Sequence, residues 1–252
     1  MKIADLHVHT VYSNDGKSTM EEYCLAALQK HVGIVCFTDH VECDEHSPYY
    51  TLGNFDFAGQ RNEFEKLKDL YAPKGLKLLL GYELGEPHRY PKVLEFLLSK
   101  QPDYILGSVH CAYDRYHHER DLTPEELWEQ HYAETLELAR FGGVDVLAHL
   151  DFPKKKAVPF LKNETMQHEI LQACVKNGIA LEVNTSALPA AAETAPSLTA
   201  VREYLSLGGS RVTVSSDAHE AAKLGYAVAK TREALPPEAI VGYFEGRKFF
   251  AL

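Results

Sequence analysis

Short apolar and β-branched runs alternate along the chain with longer stretches in which apolar residues recur at helical spacing. Strands are predicted at residues 2–8, 34–38, 76–80, 104–106, 144–148, 179–183 and 212–214. Helices are predicted at 21–31, 62–70, 91–99, 123–141, 169–177 and 198–207, with a last one at 237–244. The boundaries carry their own chemistry. Thr19 followed by Glu22 is a capping-box pattern, and Thr123-Pro124-Glu125-Glu126 puts a cap, a first-turn proline and two acids at one helix start. Gly33, Gly142-Gly143, Gly178 and Gly208-Gly209 mark stops. The longest irregular stretch, 46–60, reads as a loop over the active face.

Seven strand–helix units in alternation predict a parallel sheet, either a distorted TIM-like (β/α)7 barrel or a doubly wound open sheet. The barrel is favoured by what stands at the strand ends: His7 and His9, His40, Glu83, His110, His149, Asn184, and Asp217 with His219. In a parallel barrel those ends converge on one face, where active sites lie. The 252 residues, 45% hydrophobic, suit one domain over residues 1–252.

His7-Val8-His9 is an H-x-H on a strand, and alternate strand residues share a face, so both imidazoles can reach one metal. Ser216-Asp217-Ala218-His219 repeats the spacing with an anionic oxygen ligand. Among the other histidines, His31, His131 and His168 read as surface or packing residues; His46, His88, His117 and His118 fall in loops on the active face, where they could touch substrate. Lys155 belongs to a lysine run that reads either as a solvated charge run or, because it directly follows the fifth strand, as a phosphate contact, the second being favoured. Glu182 reads as a buried partner for another group, and Asn184 as a residue that orients a ligand or substrate.

The formal net charge of −10 opposes a general nucleic-acid binder. Five scattered cysteines without a C-x-x-C pair suit reduced thiols. No apolar leader or membrane-length segment is evident, so the expected location is the cytoplasm.

The motifs D-L-H-V-H-T (5–10), F-T-D-H (37–40), G-Y-E (81–83), G-S-V-H (107–110), A-H-L-D (148–151) and S-S-D-A-H (215–219) together resemble the PHP (polymerase and histidinol phosphatase) family over essentially the whole chain. Leu150–Lys155 and Glu182–Ser186 resemble its histidinol-phosphate phosphatase branch more narrowly. The resemblance implies three divalent ions, Zn, Mn or Fe: one on His7, His9, Glu83 and Asp217, a second on Glu83, His110 and His149, a third on Asp15, His40 and His219. It implies hydrolysis of a small phosphomonoester, L-histidinol phosphate, with Glu83, Asp217 and His219 at the catalytic centre. Lys155, Arg89, Arg115, His117, His118 and Asn184 are the expected substrate contacts. One departure stands out: members of this branch often carry an arginine soon after Asn-Thr-Ser, whereas here Leu188-Pro189 and three alanines follow, and the next arginine is Arg202. The rival expectations are a PHP phosphodiesterase or exonuclease on small nucleotides and a non-catalytic PHP module, although all nine ligand positions are kept.

Overall fold

The computed structural model describes residues 3–45, 50–112, 115–116 and 122–252. The strands are β1 (Ile3–Val8), β2 (Val32–Phe37), β3 (His40–Val41), β4 (Lys77–Leu80), β5 (Tyr82–Gly85), β6 (Ile105–Ser108), β7 (Cys111–Ala112), β8 (Arg115–Tyr116), β9 (Val146–Leu147), β10 (Ala180–Asn184), β11 (Arg211–Ser215), β12 (Ile240–Glu245) and β13 (Lys248–Ala251). The helices are α1 (Met20–Gln29), α2 (Phe57–Tyr71), α3 (Pro91–Ser99), α4 (Pro124–Phe141), α5 (Glu164–Asn177), α6 (Leu188–Ala191), α7 (Leu198–Ser206) and α8 (Val228–Ala234).

The molecule is an α/β fold built on parallel sheets. One sheet runs β1-β2-β4, and the larger runs β13-β12-β11-β10-β9-β6-β5-β3, parallel throughout except for the terminal β12–β13 hairpin. Gly81 separates β4 from β5, but the pairing carries on across the break. Gly81 N donates to Phe37 O at 2.8 Å, and Glu83 N to Asp39 O at 3.2 Å. At the other side, a parallel bridge joins Val8 to Ala218, just beyond β11, and His9 N donates to Ala218 O at 2.9 Å. The ends of β1 and β11 are thereby held side by side.

The helices pack outside these strands. One core cluster sets α1 and α2 against β1, β2 and β4; another sets α3, α4, α5 and α7 against β3, β5, β6, β9, β10 and β11. Both capping boxes form as their sequences imply, Thr19 with Glu22 and Thr123 with Glu126. No helix among the described residues is long and apolar enough to cross a membrane.

Two expectations are corrected. Part of the stretch 46–60 is helical, because Asp56 caps Gly59 N at 2.8 Å and starts α2 at Phe57. The helix expected at 237–244 is instead β12, hairpinned to β13. Ile-Val-Gly-Tyr-Phe is β-branched and aromatic, and Gly246 (φ 54°) with Arg247 (φ 63°) makes the left-handed two-residue turn that suits a hairpin. Helix α8 at 228–234 was not anticipated.

Candidate metal centre

The polar side chains at the strand ends gather beneath and around one cavity of about 250 Å³, lined by Asp15, His40, Glu42, His110, His149, Lys155, Asp217 and His219 among others. His7 lies in β1 and His9 just past it, both fully buried. Because β3 pairs with β5 in register His40↔Glu83, those two side chains arrive at the same level. Asp217 follows β11 in the left-handed region (φ 52°), a conformation that Asp tolerates better than most residues and that turns the chain between Asp217 and His219.

Glu83 is the hub. Its Oε2 lies 3.1 Å from His7 Nε2, 3.3 Å from His9 Nε2 and 3.0 Å from His40 Nδ1. Its Oε1 lies 3.2 Å from His110 Nε2 and 2.9 Å from His149 Nε2. Asp217 Oδ1 is 3.3 Å from His9 Nε2 and 3.7 Å from His7 Nε2. On the outer side, Asp15 sits 3.1 Å from His219 Nε2 and 3.8 Å from His40 Nε2. All nine residues expected to ligate metal therefore meet in one place.

Burial makes this cluster costly as bare protein. Although desolvation pushes the Glu83 carboxyl up, His7, His40 and His110 outweigh it and hold it well below the usual carboxylate range. Asp217 is depressed likewise, by Lys155 and His7 against burial. Burial pulls His110 down, yet Glu42 and Glu83 lift it to about 9, whereas burial and Lys155 bring His149 down to about 4. His7 Nε2, His9 Nε2 and Glu83 Oε2 are buried without a hydrogen-bond partner among the described residues. Unsatisfied buried lone pairs cost free energy, and mixed imidazole and carboxylate donors suit a borderline divalent cation. The residues present fit such ions.

The surrounding shell holds these groups in place. Glu182 is fully buried and takes His7 Nδ1 at 2.7 Å, which leaves Nε2 as the lone-pair nitrogen. It also accepts from His149 N at 2.7 Å and from Ser215 Oγ. Asn184 donates to Asp217 Oδ2 at 3.0 Å, so it orients Asp217. Glu42 was missed in the sequence, although His40-Val41-Glu42 repeats the alternate spacing of His7-Val8-His9 and could have shown it.

The expected phosphate contacts separate. Lys155 Nζ pairs with Asp217 and lines the cavity, beside Lys156. Arg89 does not reach it: its guanidinium forks onto Glu134 at 2.6 and 2.8 Å, with His88 on the same carboxylate at 2.8 Å. His88 is thus a partner of Glu134, and hydrogen bonds from His88 and Arg89 outweigh burial and hold that carboxyl at about 2. His117 and His118, like His46, lie outside the described residues, and Arg115 is described only as part of β8. His131 is buried against Leu150 O at 2.7 Å, and His168 pairs with Glu203 at the surface, as packing and surface residues should.

With this geometry in place, comparison with known proteins is direct. The PHP domain family matches residues 5–186. A probable histidinol-phosphatase of Thermotoga maritima is 29% identical over 222 residues, covering 88% of this chain and 86% of that protein. The histidinol-phosphatase of Lactococcus lactis is 25% identical over 250 residues, covering 92% and 90%. Among solved structures, the L. lactis histidinol phosphate phosphatase, crystallised with zinc, L-histidinol and phosphate, superposes with a TM-score of 0.86 at 21% identity over 99% of each chain.

Proposed function

The chain belongs to the PHP family, and on that footing we propose that it is a metal-dependent phosphomonoesterase that hydrolyses L-histidinol phosphate to L-histidinol and phosphate, a step of histidine biosynthesis in the cytoplasm. We read the strand path, from β1 round to β11 and back through the Val8–Ala218 bridge, as one seven-stranded barrel domain. The observation that carries the functional reading is the convergence of His7 Nε2 and His9 Nε2 on Glu83 Oε2, at 3.1 and 3.3 Å, all three atoms buried and unsatisfied.

Three ions would be held by His7, His9, Glu83 and Asp217; by Glu83, His110 and His149; and by Asp15, His40 and His219. Zn²⁺, Mn²⁺ or Fe²⁺ bound there supplies Lewis acidity, lowering the pKa of water and neutralising phosphoryl charge. The rest falls to the chain itself. Glu83, facing both inner histidine groups, fixes their separation; Asp217 and His219 carry the cluster toward the cavity. Glu182 sets the His7 tautomer, and Asn184 holds Asp217. Lys155 and Lys156, the two lysines lining the cavity, supply the cations that phosphoryl oxygens need, in place of the arginine that this branch often carries. Phe152 packs its ring 4.9 Å from those of His110 and His149, giving one wall an apolar surface. The size of the cavity suits a small phosphomonoester, and the names of the relatives at 29% and 25% identity supply its identity.

Elemental analysis together with chelation tests this reading. Purified protein should hold about two to three divalent ions per chain, lose turnover when they are stripped, and regain it with Zn²⁺ or Mn²⁺. A metal-free preparation with full activity would overturn it.

A further inference from the structure

Glu42 stands outside the nine-residue ligand set, yet it is only 2% exposed and lines the same cavity. Its carboxylate Oε1 lies 2.8 Å from His110 Nδ1 and 3.3 Å from His40 Nδ1. These two histidines belong to different candidate ion groups. His110 Nε2 faces Glu83, beside His149, whereas His40 Nε2 faces Asp15, beside His219.

The carboxylate is held in place from several directions. Glu42 N donates to Thr51 Oγ1 at 2.7 Å, and its carbonyl accepts from Thr51 N and Leu52 N at 3.2 Å. Strand β3 pairs with β5 so that Val41 faces Leu84, which brings Glu42 against Gly85. A methyl group on Gly85 would overlap the Glu42 carboxylate, so the glycine leaves the carboxylate its present position where the strand passes it. His110 is fixed from its backbone as well, where its N–H donates to Glu86 at 2.6 Å.

An ionised carboxylate accepts only, so the Nδ1 facing it must carry the proton. That leaves Nε2 of His110 as the lone-pair nitrogen, directed at Glu83. The same oxygen stands 3.3 Å from His40 Nδ1, on which Glu83 Oε2 also bears at 3.0 Å, so the two carboxylates together favour the proton there and free His40 Nε2 toward Asp15. Carboxylates behind metal-binding imidazoles fix the tautomer and raise the basicity of the ligating nitrogen. Here one carboxylate serves two rings.

Resting on the metal-centre reading above, we infer that Glu42 is a positioning residue that sets the tautomer of His110, shares with Glu83 that of His40, and thereby couples two ion sites. Replacing it should weaken both sites at once rather than delete one ion.

The test is Zn²⁺ binding by Glu42→Gln, followed by calorimetry with chelator competition and by long-range ¹H–¹⁵N spectra of the Zn²⁺-loaded protein. Wild type should show a hydrogen-bonded His110 Nδ1 proton. Glu42→Gln should weaken that hydrogen bond and bind Zn²⁺ roughly 10- to 100-fold more weakly at two sites, with the full count regained at saturation. The melting temperature of the metal-free variant separates this from a purely structural role: lower stability with wild-type Zn²⁺ affinity would overturn the inference. So would the loss of one ion with the others unchanged, which would make Glu42 a ligand. Should Glu42→Gln not fold, Gly85→Ala displaces the same carboxylate without removing it and faces the same outcomes. If wild type itself bound no Zn²⁺, the metal-centre reading would fail, and this inference with it.

Discussion

Lys154, Lys155 and Lys156 follow one another in a single turn after β9, and the fold sends each to a different place. Lys154 is 1% exposed; its ammonium pairs with Asp151 and with Glu193 at 2.6 Å and lies 4.0 Å from the Phe160 ring. Lys155 reaches Asp217, and Lys156 borders the cavity, its ammonium disfavoured by burial and by Lys155. As a run, the three read alike, because burial of the first depends on Glu193 and Phe160, which no local pattern ties to it. Their substitutions should therefore diverge. Lys155→Ala should raise KM and lower kcat/KM by about 10- to 150-fold with metal content unchanged, since a charge-assisted hydrogen bond contributes about 1.5–3 kcal/mol. Lys154→Ala should instead cost roughly 3–5 kcal/mol of stability, because it strands the buried Asp151 carboxylate. Steady-state kinetics and urea unfolding of the two variants read the difference. Equal behaviour of the two would refute the separation of roles.

At the level of elements, the most legible features were those with local chemistry. Helix α4 could be placed to within a residue because Thr123, Pro124 and Glu126 act on its own first turn, and Gly142 ends it. The terminal hairpin was not legible as such. Pro237 and Glu238 imitate a helix start, whereas the strand is decided by pairing of β12 to β11 and by the turn at Gly246-Arg247. Arg247 occupies the left-handed region although it is not glycine, and its contacts explain why. Its guanidinium holds Asp145 at 3.0–3.1 Å and Gly143 O at 2.9 Å, and Asp145 in turn accepts from Ile105 N at 2.9 Å. The hairpin thus anchors the start of β6. Arg247→Gly would relieve the turn but release Asp145. The expected net result is destabilisation of about 1–2 kcal/mol, a lost charged hydrogen-bond pair outweighing the recovered backbone strain. A lower urea midpoint at unchanged slope would show it, and a raised midpoint would mean that the turn dominates.

Across the whole molecule, the site was more legible than the architecture that builds it. His7, His9, Asp217 and His219 declare themselves by alternate spacing, and His40, Glu83, His110 and His149 each stand near the end of an apolar run. Asp15 has no such mark and was placed only through family resemblance; the fold sets it 3.1 Å from His219. Glu182 was legible as a buried partner and Glu42 carried only its alternate spacing from His40; which ring each serves is set once His7, His40 and His110 stand beside them. Arg89 shows the converse: a basic residue in the right loop, taken by Glu134 on α4. An acidic chain can still present an anion site, because the cations that matter are local.

The central claim is a metal-dependent phosphomonoesterase matched to L-histidinol phosphate. The most direct test is kcat/KM for that compound beside p-nitrophenyl phosphate and bis(p-nitrophenyl) phosphate, in one preparation with its metal content measured. The account predicts a preference for L-histidinol phosphate over the generic monoester on the order of 100-fold, and little turnover of the diester. Equal rates on the two monoesters, or faster cleavage of the diester, would contradict it.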